Sequence, residues 1–265
     1  MERGQQNVPG YDASREREHH LGIMIGQDVS AWVAHDLRTL QPVAIGWGPD
    51  TDALRSADLP KQPRSVTYVS LPEWSTLVPD GALEPTAAAS HLSLVHGKLL
   101  HDTVRDEPVR TLGASCIYVH DEAHVRVVLE RFPNARSLPL QALLVRGAQA
   151  RSSSAPVILV HRGKDRADIA VARGQEILLT SSYPARTAED LLYFCLMAAE
   201  RCGLQPTSAC LRSGGTHLQQ TEREMLARYF ADHDTAVPFR WPGSRTNEHE
   251  ADRWLAAFDQ FACVS

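Results

Sequence analysis

The sequence predicts an α/β fold of two similar lobes, each a mixed sheet that starts with a three-strand meander. Three observations carry this prediction. A run of three short apolar strands opens near Leu21, a second run of three opens at Val157, and the Ser-rich stretch RSSSAP at 151–156 lies between them as a joint. Each run is followed by alternating helical and strand patterns, which puts helices on the faces of two mixed sheets. Duplication explains this economically, because a single doubly wound sheet would not normally begin twice with three consecutive strands.

Taken in order, residues 1–20 (MERGQQNVPGYDASREREHH) carry few apolar side chains and are expected as a disordered tail. LGIMIG from Leu21, SAWVAH and PVAIGW form the first meander, and SVTYVSL from Ser65 is a fourth strand that leads into a loop, WSTLVP. A helix follows with Leu92, Val95 and Leu99 on one face; ASCIYV from Ala114 is a further strand. Asp121 caps a helix striped by Val125, Val128 and Leu129 that stops at Phe132 before Pro133, and Pro139 opens another through Leu140, Leu143 and Leu144. The first lobe is expected over 21–150 and the second over 151–265.

In the second lobe, VILVH, ADIAV and EILLTS form the meander. Thr187 and Asp190 make a capping box for a helix that runs to Cys202 and ends at Gly203. Its Leu191, Leu192, Phe194, Cys195, Leu196, Met197 and Ala198 occupy more than one stripe, so the helix should be covered on most sides. SACLR then leads into Ser213, Gly214 and Gly215; Thr221 with Glu224 opens a helix carrying Met225, Leu226, Tyr229 and Phe230; a last stretch with Trp254, Leu255, Phe258 and Phe261 closes the chain.

With 43% apolar residues in 265, the chain can bury a large core. Lys plus Arg total 27 against 32 Asp plus Glu, a net charge of −5, so no basic field exists for nucleic acid or an anionic membrane. Cys116, Cys195, Cys202, Cys210 and Cys263 are odd in number and lack close pairs, which reads as reduced thiols in a cytoplasm. No apolar run approaches the roughly 20 residues of a membrane span.

The segment TAEDLLYFCLMAAERCGLQPTSACLRSGG, together with STLVP in the first half, resembles the bacterial domain of unknown function 3822 family. The resemblance implies the two-lobed actin-like ATPase fold of actin, heat-shock chaperones and sugar kinases, and it implies no defined activity. Active members of that fold hold ATP between the lobes with two hairpin turns, each at the tip of a meander's first two strands. An aspartate there organises Mg²⁺, and glycines let backbone N–H groups close on the phosphates.

Here both turns depart from that pattern. The second reads His161, Arg162, Gly163, Lys164, Asp165, Arg166, Ala167, Asp168, Ile169, with His161 at the carboxylate's position and one glycine where active members of the wider fold have three. Lys164 and Asp165 stand where backbone must approach closely, and a glycine-type conformation at either would cost roughly 1 kcal/mol. In the first turn Met24 takes the aspartate's place; Asp28, in the turn itself, is either a substitute ligand or an ordinary turn former. Ser213, Gly214 and Gly215 resemble the turn beside the adenosine of active relatives, or form a tight connection that requires glycine.

His120 and His124 in HDEAH suggest either zinc or a solvated helix start, and His91, His96 and His101 spread around a helix. Cys195 and Cys202 share an apolar helix face and read as packed thiols, and Trp74 is either an exposed anchor or a core residue. The leading expectation is a non-catalytic protein, with neither cofactor nor metal, that binds a protein partner or pairs with itself. The alternative is a nucleotide-dependent enzyme or switch that uses Asp28, Asp168, Ser213, Gly214 and Gly215 in an unusual arrangement.

Overall fold

The computed structural model describes residues 2–99, 103–153, 155–237, 239, 241 and 251–264. They divide into two compact units. One contains the described residues up to Leu140 with Trp241, Cys263 and Val264; the other contains 141–239 and 251–262. The expected division at 150/151 therefore moves about one helix earlier in the chain.

The first unit opens with β1 (Gly4–Asn7), β2 (His19–Ile25), β3 (Val29–Asp36), β4 (Pro42–Pro49) and β5 (Ser65–Ser70). Next come β6 (Trp74–Pro79), α1 (Ala88–His96), β7 (Arg105–Val109), β8 (Ala114–Val119), α2 (Glu122–Arg131) and the two-residue β9 (Arg136–Ser137). The main sheet has the order β1-β4-β3-β2-β5-β9, antiparallel through the β2–β3–β4 meander and parallel from β2 to β5 and from β5 to β9. Its core gathers Leu21, Ile23, Ile25, Trp32, Tyr68, Val125 and Val128, so the apolar stripe of α2 packs as its spacing predicts. Asp121 accepts from the Ala123 and His124 amides, which caps α2.

Residues 2–20 are not the tail that the composition of 1–20 suggested. β1 pairs antiparallel with β4, Gly4 opposite Trp47 and Asn7 opposite Ala44. A side chain at Gly4 would collide with the Trp47 indole, so glycine is what lets the strand lie against that ring. Tyr11 packs on the core and stacks with His19 at 5.7 Å. Short polar segments are readable as order only once a neighbouring edge is there to take their hydrogen bonds.

WSTLVP, expected as a loop, is β6. It pairs with β8, and β8 with β7, in a separate sheet of order β6-β8-β7, so ASCIYV does not join the main sheet. On α1 only Leu92 of the expected stripe is buried, Leu99 packs partly on the same cluster, and Val95 is 61% exposed.

The second unit holds α3 (Leu140–Arg151) from its second residue onward, then β10 (Val157–Arg162), β11 (Arg166–Arg173), β12 (Glu176–Pro184), α4 (Ala188–Arg201), β13 (Cys210–Gly214), α5 (Gln220–Tyr229), β14 (Asp232–Thr235) and the short α6 (Leu255–Phe258). Its sheet order is β12-β11-β10-β13-β14, again an antiparallel meander whose first strand pairs parallel with the next strand after it. The two units thus repeat one topology, as the duplicated pattern predicted.

The Thr187–Asp190 capping box forms, and Gly203 adopts φ +64° at the end of α4. Leu191, Cys195, Ala198 and Ala199 of α4 are buried, but Leu192, Phe194 and Leu196 are only half-buried and Tyr193 is 61% exposed. The helix is therefore covered on one side, not on most. α5 begins at Gln220 with a box made by Gln219 and Glu222 in place of the expected Thr221 and Glu224.

Candidate functional site

The β10–β11 turn is shaped by one side chain. Arg162 ends β10 and is buried, and its Nη1 points at four carbonyl oxygens, those of Gly163 at 2.8 Å, Lys164 at 3.2 Å, Arg166 at 3.4 Å and Ala185 at 2.8 Å. Its Nε–H donates to Glu222 Oε1 at 2.9 Å, and Glu222 Oε2 accepts the Gln219 amide at 2.9 Å as part of the α5 cap. A buried guanidinium needs such partners to offset its lost hydration. The concavity of the turn is thus lined by carbonyls around a resident cation, the opposite polarity from a cradle of amides that would receive phosphate.

The turn also closes without glycine-type geometry. Gly163 N–H donates to Arg166 O at 2.9 Å, none of 163–166 has a positive φ, and a Cβ at Gly163 would come no closer than 3.5 Å to another atom. Lys164 and Asp165 are exposed in ordinary conformations, so the strain expected for them is absent.

Asp168 sits on β11 opposite His161 of β10, and both are buried. Its Oδ1 accepts from Arg166 Nε at 2.8 Å, Arg166 Nη2 at 2.5 Å and Ser182 Oγ at 2.6 Å, while Oδ2 lies 3.6 Å from His161 Nδ1. Burial pushes this carboxyl up, but the Arg166 charge and the neighbouring His161 outweigh it and hold it below the usual carboxylate range. The carboxylate is committed to an internal ion pair.

Met24 is fully buried within β2, between Ala31 of β3 and Val69 of β5. Asp28 is exposed in the β2–β3 turn, where Gly26 N–H donates to Val29 O at 2.6 Å. A cleft of about 350 Å³ in the same unit is lined by Gln27, Leu71, Pro72, Trp74, Val119, Asp121 and His124. Asp28 is not among them.

Gly214 and Gly215 make close contacts with other parts of the chain. A Cβ on Gly214 would lie 2.7 Å from the Asp252 carbonyl oxygen, and one on Gly215, at φ +117°, would lie 2.5 Å from the Arg162 backbone nitrogen and oxygen. Gly215 N–H donates to Asp252 O at 2.8 Å, and Ser213 Oγ meets His233 Nε2 at 2.9 Å. Both glycines are needed for backbone to approach backbone.

The histidines separate. His120 is buried against Glu73, 3.1 Å from Oε2, which also accepts the Leu140 amide at 2.8 Å; His124 Nδ1 meets Ser70 Oγ at 2.9 Å instead. Among the described residues no group of three or more His, Cys, Asp or Glu could hold a metal. His96 stacks on Trp74, ring centres 6.1 Å apart, and Trp74 is half-buried on the cluster of Val78, Leu92, Ile117 and Val119. His101 lies outside the described residues. Cys195 is buried, its thiol pushed up to about 12 by burial, and none of the five cysteines forms a disulfide. The sequence reading missed the Arg162–Glu222 pair and the Asp168–Arg166 pair. Their signal was an arginine next to His161 and another two residues before Asp168.

The sequence profile of the family described as a protein of unknown function (DUF3822) matches residues 64–232. The chain belongs to that family. No curated protein sequence matches the chain. Among solved structures, a Bacteroides thetaiotaomicron protein of unknown function with an actin-like ATPase fold is similar at a TM-score of 0.71 and 17% identity, covering 85% of this chain and 93% of that one. At 14% identity, the cytoplasmic domain of EpsL, an inner membrane component of the Vibrio cholerae type II secretion system, gives 0.49 over 93% of this chain and 95% of that one. The ethanolamine utilization protein EutJ from Carboxydothermus hydrogenoformans gives 0.49 at 11% identity over 98% and 92%. The fold is that of the actin-like ATPases. No helix among the described residues is long and apolar enough to cross a membrane.

Proposed function

We propose that this chain is a non-catalytic member of the actin-like ATPase fold that works in the cytoplasm by binding a protein partner or by pairing with itself. The observation that carries the reading is the Arg162 guanidinium held among the carbonyls of the 163–166 turn. A triphosphate at that turn would have to displace a buried, multiply bonded cation and meet carbonyl oxygens, which repel it. Asp168, locked to Arg166 and Ser182, and Met24, buried in a strand, support the same reading, because neither offers a carboxylate to Mg²⁺.

The test is thermal melting with millimolar ATP and magnesium. A ligand at a hundred times its dissociation constant adds about 2.7 kcal/mol, which for a chain of this size raises Tm by roughly 5 to 10 °C. The expected result is no rise. A magnesium-dependent rise that Asp28→Asn abolishes would overturn the proposal in favour of a nucleotide switch using Asp28, Asp168 and the Ser213–Gly214–Gly215 turn.

A further inference from the structure

A cleft at the start of β5 gathers cations that the chain's net charge of −5 conceals. It measures about 440 Å³ and is lined by Lys61 and Arg64, from the connection that enters β5, and by Arg131, Asn134 and Arg136, from the end of α2 and the segment up to β9. Among the described residues no Asp or Glu lines it. β5 runs parallel to β2, so its first residues lie at the far end of the sheet from the β2–β3 turn and Asp28. β9 pairs with β5 only at Thr67 and Tyr68, and the cleft opens beside Ser65 and Val66, which that strand does not reach. Among the described residues the side chains of Lys61, Arg64 and Arg131 make no ion pair or hydrogen bond, and all three are exposed; Arg136 is paired with Glu107 Oε1 at 2.6 Å. The backbone that carries them is tied down. Arg64 N–H donates to His19 O at 2.9 Å, Lys61 N–H to Glu16 Oε2 at 2.5 Å, and Ala135 N–H to Phe132 O at 2.9 Å in the turn after α2. Pro60, Pro63 and Pro133 stiffen the same segments. Like charges around one concavity repel one another unless an anion lies between them, and the concave wall concentrates their field.

We propose that this cleft binds a small molecule carrying two phosphate groups. Each phosphate contributes about −1.5 to −2 charges, so a pair matches the four lining cations, and the guanidinium forks of the arginines fit phosphate oxygens in bidentate fashion. A phosphate also presents three oxygens to several donors at once, where a carboxylate presents two. Ser65, with its Oγ 2.9 Å from His20 Nδ1, and Asn134 add neutral hydrogen-bonding groups to the lining. The volume falls in the range of small-ligand sites, about 300 to 1,000 Å³. Phe132, the aromatic residue among those lining the cleft, is 6% exposed, so no ring face is offered to a base and the phosphates themselves are what is recognised. With no carboxylate among the described lining residues to hold a divalent cation, the ligand is the free anion and not its magnesium complex.

The site goes beyond the partner-binding reading and does not depend on it. Calorimetric titration of the full chain with inorganic pyrophosphate, in EDTA at low salt, should show one site with a dissociation constant below about 100 μM that weakens as salt is raised. Arg64→Ala and Arg131→Ala should each weaken binding about tenfold while melting like the natural chain, because neither side chain has a partner to lose. Arg126→Ala, exposed on α2 outside the cleft, should change the affinity less than about twofold. Citrate, of similar charge but built of carboxylates, should bind more weakly than pyrophosphate. No binding at millimolar pyrophosphate, citrate that binds as tightly, an Arg64→Ala or Arg131→Ala chain that binds as well as the natural one, or an Arg126→Ala chain that loses as much, would each overturn the proposal. Magnesium should weaken binding here by complexing the anion, whereas a nucleotide held at the β2–β3 turn would need magnesium and Asp28. The opposite sign of the magnesium effect keeps failure of this proposal distinguishable from failure of the proposed function.

Discussion

Arg162 and Glu222, from a strand end and the first turn of a helix, form an ion pair at 2.9 Å with both side chains 5% exposed. The pair joins the β10–β11 turn to the cap of α5. Removing one partner strands the other's charge, which typically costs 3 to 5 kcal/mol, whereas replacing both with apolar residues of similar volume is often close to neutral. Glu222→Ala should therefore lower stability by about 3 kcal/mol or more, and Arg162→Met with Glu222→Met should recover much of it. Urea unfolding decides. A loss below about 1 kcal/mol in the single variant would mean that water reaches the pair.

Gly163 and Gly215 should differ sharply in their response to alanine. At Gly215 a Cβ meets the Arg162 backbone at 2.5 Å and φ is +117°, so both packing and conformation are strained. The cost is about 3 kcal/mol, or loss of folding. At Gly163 the nearest atom is 3.5 Å away and φ is ordinary, so alanine should change stability by no more than about 0.5 kcal/mol. Comparing the two midpoints tests whether the glycine of the β10–β11 turn has any structural role.

Removing residues 2–11 should destabilise the first unit. The deletion takes away β1, the Arg3 to Ser56 hydrogen bond at 2.6 Å and the packing of Tyr11. Partial burial of one aromatic and loss of a short ladder are together worth about 1 to 3 kcal/mol. A denaturant midpoint equal to that of the full chain would show that these contacts contribute nothing in solution.

The duplicated topology was legible because two meanders and their parallel partners are strongly apolar, with turn residues between them. The α2 and α4 caps were legible for a local reason: Asp121, Thr187 and Asp190 act on amides two or three residues away. What could not be read depended on distant neighbours. GQQN becomes β1 only because β4 offers an edge, and Trp74 to Pro79 becomes β6 only because Ala114 to Val119 lies beside it. In the candidate site, Met24 and His161 were visible as departures from the pattern of active members of the wider fold. The reason the turn is filled was not, since Arg162 finds Glu222 sixty residues away.

His20 and His35 face each other across β2 and β3, both buried, and they give stability a particular dependence on pH. Burial depresses His20 to about 4, with its ring nitrogens meeting Ser65 Oγ at 2.9 Å and Thr67 Oγ1 at 3.1 Å; it depresses His35 to about 3, with His20 adding to the effect. A histidine whose folded pKa lies below its unfolded value near 6.5 binds fewer protons when folded. Its stabilisation is therefore complete above about pH 6.5 and is lost as pH falls toward the folded value. For His20 alone the loss is roughly 3 kcal/mol at about 1.4 kcal/mol per pH unit. Asp252 acts in the opposite sense: burial lifts its carboxyl to about 7, against the Val237 amide and the Arg223 charge, so its contribution falls as pH rises from about 4 to 7. The natural chain shows the sum, and a variant isolates the histidine. His20→Gln keeps hydrogen-bonding capacity toward Ser65 and Thr67 without titrating, so its stability should decline less per pH unit between 6.5 and 4.5 than that of the natural chain. Equal slopes for the two proteins would show that His20 reaches water and is protonated alike in the folded and unfolded states.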